Sequence, residues 1–287
     1  MIRKALFFLF FILICSKTLH AGSDYFQKIP KDTIFKKDTA SIFKGFVHDE
    51  ARLWTSPLRI TKKRFCFWVP IIGATMISLA NDEKIYNDFI SFEAKHKWVK
   101  DVSPIITYGG DGKPLICLSG LIYLSGIAFN NEKAKQTAIM GIEALCHAGL
   151  IVTVGKLTTG RQRPEFDNGI DEWHWFPATF RQFGSDPQPK YDAFPSGHTI
   201  AVWSVATVIA KQYKDCILVP IIAYTVATGV GLSRIMLSEH WMSDVIIGGA
   251  LGYTIGSFEV RERKNTKWSL FPSSNGKSIM LSSVYKL

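Results

Sequence analysis

The chain has 287 residues, 47% of them hydrophobic and 20% charged, with a formal net charge of +10. So much apolar content excludes a chain disordered throughout. The positive charge suits a membrane surface or an anionic substrate. Nucleic acid is not an expected partner, because no zinc-finger spacing, RNA-binding aromatic motif or long basic arm is present.

The first element is a targeting signal over residues 1–21. Arg3 and Lys4 precede an apolar core, Ala5 to Cys15, and polar residues lead to a cleavage point after Ala21. That core is too short to cross a bilayer comfortably. Residues 22–64 form a polar and basic region. Within it, Ala40–Trp54 carries Ile42, Phe43, Phe46, Val47, Leu53 and Trp54 at helical spacing. This predicts an amphipathic helix, either lying on a membrane or packed against the rest of the chain.

Apolar segments follow at Phe65–Ala80, Leu115–Phe129, Thr137–Gly155, His198–Ala210, Cys216–Leu232 and Trp241–Phe258. They predict an all-α fold, a polytopic membrane helical bundle of about six helices filling residues 65–258. A large soluble helical bundle is the alternative. Gly248 and Gly252 make a GxxxG spacing, which lets helices approach closely in lipid. In the tail, 259–287, the turn signal Ser273-Ser274-Asn275-Gly276 between alternating stretches predicts a small hairpin, with a disordered tail as the alternative. The five cysteines lie in or beside apolar runs without CxxC spacing. They read as buried apolar residues, and no metal site is expected.

Basic residues gather at Arg59 to Arg64, at Lys133 and Lys135, at Lys211 and Lys214, and at Arg261 to Lys267. Six spans place all of these on one side, which the positive-inside rule makes cytoplasmic. A cleaved signal followed by six spans would put them outside. Either the signal is not processed in the ordinary way, or Phe65–Ala80 does not span. The charge pattern, spread over four clusters, favours motifs on the external side and leaves both of these open.

Three short motifs carry the chemistry. The last is SRIMLSEHWMSD, with Ser233, Arg234, His240 and Asp244. His240 and Asp244 are four apart and share a helix face. The carboxylate can accept from one ring nitrogen and leave the other free to attack. The middle motif is FPSGHT. Ser196 and Gly197 offer backbone N–H groups at a helix start, which attracts anions, and His198 is placed to act as a general acid. The first is KLTTGRQRP, in which Lys156 and Arg163 can grip phosphate oxygens. Each motif alone has an ordinary structural explanation, as a polar pair, a turn or an interface anchor.

Together they read K-x6-R-P, P-S-G-H and S-R-x5-H-x3-D. In that order and spacing the chain resembles the type 2 phosphatidic acid phosphatase superfamily. By motif the resemblance covers residues 156–244, and by apolar pattern about 65–258. It implies an integral membrane phosphatase with no cofactor. His240 would be the nucleophile, Asp244 its orienting carboxylate and His198 the acid. Lys156, Arg163, Arg234, Ser196 and Gly197 would hold the phosphate. The implied partner is a phosphorylated lipid: a polyprenyl diphosphate, phosphatidylglycerophosphate, phosphatidate or lipid A. The implied place is a bacterial-type inner membrane, with the site on the periplasmic or external face. Rival readings are a secreted soluble acid phosphatase of the same superfamily, a vanadium-dependent haloperoxidase and a non-catalytic lipid-binding membrane protein. Lesser candidates are Glu143 with His147 as supporting residues, Gly109 to Gly112 as a phosphate turn, Trp173 to Trp175 as a lipid contact and Arg161 as a headgroup contact.

Overall fold

The computed structural model describes residues 39–56, 59, 61–166, 170–175, 190–265, 268–274 and 279–285. The expected signal segment and most of the basic region after it lie outside these residues. The chain divides into Ala40–Lys264 and a second unit that holds the C-terminal tail from Asn265. In the second unit, β1 (Trp268–Ser274) pairs antiparallel with β2 (Ile279–Tyr285), with Trp268 opposite Tyr285 and Ser274 opposite Ile279. This is the hairpin expected of the tail; the residues of its turn lie outside those described.

The larger unit is helical. Its elements are α1 (Thr39–Trp54), α2 (Lys62–Leu79), α3 (Asp82–Lys95), α4 (Trp98–Tyr108), α5 (Gly112–Ala128), α6 (Glu132–Thr159), α7 (Gly197–Gln212), α8 (Leu218–Met236) and α9 (Met242–Asn265). Polar caps start several of them. Thr61 Oγ1 accepts from Arg64 N, Asp111 Oδ1 from Lys113 N and Asn131 Oδ1 from Ala134 N, each meeting a backbone donor that the first turn leaves unpaired. Six helices coincide with the six apolar segments. α3 and α4, in the mixed stretch after Ala80, were not anticipated.

Helices α6 and α8 are each long and apolar enough to cross a membrane; α2 and α3 qualify only together, as a span bent by 73°, and α5 is a shorter apolar helix. The outward faces fit a lipid environment. Val69, Ile72 and Met76 on α2, Leu121 and Leu124 on α5, and Ile221 and Val226 on α8 are all exposed. Large apolar residues in such numbers are not left bare to water. The fold is thus an all-α membrane bundle.

At its centre is α7. It packs on α5, α6 and α8, and Ile200, Val205 and Val208 are buried. Helix α9 lies against it through glycine. A Cβ on Gly252 would stand 2.6 Å from the Ile200 carbonyl oxygen and 2.6 Å from Trp203 Cβ. Gly248 and Gly256, one turn to either side, meet Thr199 and Thr207. The GxxxG spacing read in the sequence therefore extends to a third glycine. It brings two backbones to van der Waals contact.

The helices alternate in direction around the motifs. The C-terminal ends of α6 and α8 and the N-terminal ends of α7 and α9 meet there. The start of α3 joins them, because Asp82 accepts from Arg161 at 2.7 Å. So α2 runs from the basic end of the bundle to the motif end, in the same sense as α6 and α8. At the other end α1 is packed on the bundle, which decides between its two readings. Leu53 is buried, Phe46 stacks on the His147 ring at 4.7 Å, Arg52 pairs with Glu262, and Glu50 lies 2.5 Å from His147 Nδ1.

Candidate active site

The first motif is set by the end of α6. Gly160 caps the helix in a left-handed conformation, φ 52°, and its N–H reaches back to the Lys156 carbonyl. A side chain would strain that turn. The chain then runs as an extended stretch between two others. Gln162 N donates to Glu172 O and His174 N to Gly160 O on one side. Arg163 N donates to Lys190 O and Ala193 N to Arg161 O on the other. Arg163 is thereby held beside Asp192. Its Nε and Nη2 donate to the two carboxylate oxygens at 2.5 and 3.0 Å, and Lys156 Nζ reaches the same carboxylate at 2.7 Å. Burial raises the Asp192 pKa, but the Arg163 hydrogen bond and the Lys156 charge outweigh it and hold the carboxyl below its ordinary value.

The third motif completes the cation cluster. Arg234, near the end of α8, donates from Nη2 to Glu239 Oε2 at 2.7 Å, and Arg163 Nη1 donates to the same oxygen. Arg234 Nε is buried with no hydrogen-bond partner among the described residues, a donor left for something else. The second motif is tied in by backbone. Ser196 caps α7, its N–H reaching the Asp244 carbonyl and its hydroxyl 2.8 Å from Thr199 Oγ1. Gly197 follows as the first residue of the helix. Gly110 packs against His198 and Val230, while Asp111 caps α5. The glycine run thus serves a turn and a close approach.

His240 is 1% exposed. Its Nδ1 lies 2.7 Å from the Ala193 carbonyl oxygen. A carbonyl only accepts, so Nδ1 carries the proton and Nε2 keeps its lone pair. Burial lowers the pKa of this ring well below 6.5, and the Arg234, Lys156 and Arg163 charges lower it further. The ring is neutral. The same three cations lie within electrostatic reach of His198.

One expected role changes. Asp244 does not orient the ring by a hydrogen bond, since its nearer oxygen stands 3.7 Å from His240 Nδ1. It accepts instead from Trp241 N at 2.8 Å and from Arg161 Nη1 at 2.5 Å. It fixes the turn that carries His240, and the Ala193 carbonyl fixes the ring. Arg161 also changes role. It is fully buried and bonds Asp82, Asp171, Ser243 and Asp244, so it holds the site together from beneath and cannot touch a headgroup. Glu143 pairs with Arg263 and His147 with Glu50 and Glu259. Both face α1 or α9 rather than the motifs. Trp173 stacks on Trp175 at 5.4 Å and lies 5.6 Å from Phe194. Asp192, Glu239 and the Ala193 carbonyl were missed by sequence reasoning. The acidic pair had one signal, three cations with no assigned counter-charge; the carbonyl had none.

The three segments bring three cations together near a neutral histidine, at one end of a membrane helical bundle. Residues 138–268, which hold all three motifs, match the PAP2 superfamily. The chain is 23% identical over 257 residues to a lipid A 1-phosphatase of Porphyromonas gingivalis, covering 87% of this chain and 48% of that protein. It thus spans about half the length of that relative. It is 26% identical over 202 residues to a lipid A 1-phosphatase of Rhizobium etli, covering 64% of this chain and 80% of the relative. A solved PAP2-type phosphatidylglycerolphosphate phosphatase from Bacillus subtilis aligns with a TM-score of 0.48 at 19% identity, covering 79% of this chain and 96% of the other.

Proposed function

We propose that the protein is an integral membrane phosphatase that removes phosphate from a lipid headgroup through a phosphohistidine on His240. The observation that carries this is a neutral His240 whose Nδ1 is satisfied, set among Lys156, Arg163 and Arg234. The Nε of Arg234, without a partner among the described residues, supplies a waiting donor.

The chemistry follows from these groups. The Nε2 lone pair attacks phosphorus, the ester P–O bond breaks, and His198 gives its proton to the leaving oxygen. Lys156, Arg163 and Arg234, with the Gly197 amide at the start of α7, hold the non-bridging oxygens and stabilise charge in the transition state. His198 then takes a proton from water, which attacks phosphorus and breaks the P–N bond. Asp244 keeps the His240 turn in place.

Among the lipids weighed, a phosphorylated lipid A is favoured, because the relatives above carry the name lipid A 1-phosphatase. A further relative, from Schizosaccharomyces pombe, is named as a probable diacylglycerol pyrophosphate phosphatase. The setting is a bacterial-type inner membrane. Basic residues at the end of the bundle away from the motifs support an external site. The test is phosphate release from a panel of lipid A, phosphatidylglycerophosphate, phosphatidate and polyprenyl diphosphate in detergent, with EDTA present. Lipid A is expected to turn over fastest. His240→Ala is expected to remove activity and the acid-labile phosphoprotein while the chain still folds. Full activity in that variant would refute the nucleophile. Release of the chain from membranes by alkaline carbonate would refute the membrane reading.

A further inference from the structure

The cations of the site are already occupied, and the two carboxylates that occupy them are placed differently. Asp192 takes the Nε and Nη2 edge of Arg163 in a two-point grip and adds Lys156. Glu239 accepts at a single oxygen from Arg163 Nη1 and Arg234 Nη2. Those two donors come from different segments and meet at one point beside the nucleophile. That is how a site built for one phosphate oxygen is filled.

Exposure and backbone say which carboxylate can leave. The Glu239 side chain is 27% exposed, against 18% for Asp192 and 5% for Arg234. Its main chain is pinned. Glu239 N donates to Arg234 O, Glu165 N donates to Ser238 O, and Ser238 sits in the left-handed region at φ 58°. A non-glycine residue held there marks a turn fixed by its surroundings. The carboxylate can swing outward on its own torsions while the His240 backbone stays still.

Charge gives the reason for the exchange. Lys156, Arg163 and Arg234 face Asp192, Glu239 and, 3.9 Å from Arg163, Glu165, so the cations are fully countered. Withdrawing Glu239 makes the cluster net positive, which favours an incoming phosphate anion in its place. Three fixed cations would also hold product phosphate tightly, and uniform binding of that kind does not speed turnover. A tethered carboxylate of the same geometry weakens it.

We propose that Glu239 is a built-in competitor for phosphate. Substrate displaces it from Arg163 and Arg234, and its return helps expel the product. This rests on the phosphatase reading above. A purely structural ion pair would change stability alone.

The test uses the full chain in detergent, with inorganic phosphate and orthovanadate as inhibitors and a turned-over lipid phosphate as substrate. Glu239→Gln keeps the shape and removes the charge. Its phosphate Ki and its KM are expected to fall about tenfold, the order set by one hydrogen bond between charged groups, with no gain in kcat. Glu239→Asp keeps the charge on a shorter arm, so its Ki is expected to lie between the two. An unchanged or raised Ki in folded Glu239→Gln overturns the proposal. If that variant does not fold, an unchanged or raised Ki in Glu239→Asp does so. A wild-type chain that neither releases phosphate nor binds orthovanadate overturns the phosphatase reading itself. A wild-type chain that does both, with variants that match it, overturns only the role of Glu239.

Discussion

Replacing Arg161 by Met removes the charge at the centre of the buried network. Its guanidinium donates from Nε and Nη2 to Asp171 at 2.8 and 2.7 Å, from Nη2 to Asp82 at 2.7 Å, and from Nη1 to Ser243 and Asp244 at 2.6 and 2.5 Å. Every donor a guanidinium owns is used. The indole rings of Trp173 and Trp241 lie 4.8 and 5.1 Å from its Cζ. Met fills much of the volume but leaves the Asp82 and Asp244 carboxylates buried without their cation. Breaking a buried pair in this way costs about 3–5 kcal/mol. For a unit of this size that lowers the melting temperature by roughly 10 °C. Thermal unfolding in detergent reads it, with Arg261→Met, at a half-exposed arginine, as control. Activity should fall through kcat more than KM, because the turn that carries His240 loosens while the phosphate-facing cations remain. Arg161→Met melting with the wild type would refute the claim that this network holds the site.

Three other outcomes follow from the geometry. Gly252→Ala places a methyl group 2.6 Å from the Ile200 carbonyl, an atom that cannot turn aside, so α9 must shift from α7. The expected cost is about 1–3 kcal/mol, read by thermal melting; an unchanged melt would mean the two helices are not in contact there. His240, with its pKa depressed below 6.5, stays neutral where the unfolded chain is protonated. The unfolded state therefore binds more protons just below pH 6.5, and stability falls as pH drops through that window. The acid limb of kcat/KM, corrected for substrate ionisation, should likewise lie below 6.5; a limb at or above it would contradict a neutral ring. Arg163→Lys keeps the charge but loses the fork that spans Asp192 and Glu239, so kcat/KM should drop at least tenfold. Equal kinetics would mean that charge alone suffices.

Much of the bundle was legible because the signals are local. A run such as Thr137–Gly155 is apolar along the chain whatever it packs against. α3 and α4 were not, because in α3 the polar and apolar residues of Asp82–Lys95 alternate without a long apolar run. The motif residues were visible as residue types at fixed spacing. Their counter-charges were not: Asp192 lies 29 residues from Arg163, and Glu239 lies 76. Arg161 read as a surface cation until Asp82, from the break after α2, was found against it.

The sequence alone determined six apolar helices, the Gly248–Gly252 spacing and the cations and histidines of the three motifs. Those depend on side-chain chemistry and on periods of a few residues. Only the tertiary structure decided which atom holds the His240 ring. The spacing of His240 and Asp244 pointed to a carboxylate on the same helix face. The fold instead delivers a backbone carbonyl, that of Ala193, from 47 residues away. Every residue has such a carbonyl, so no side-chain pattern can announce the one that packing brings to the ring.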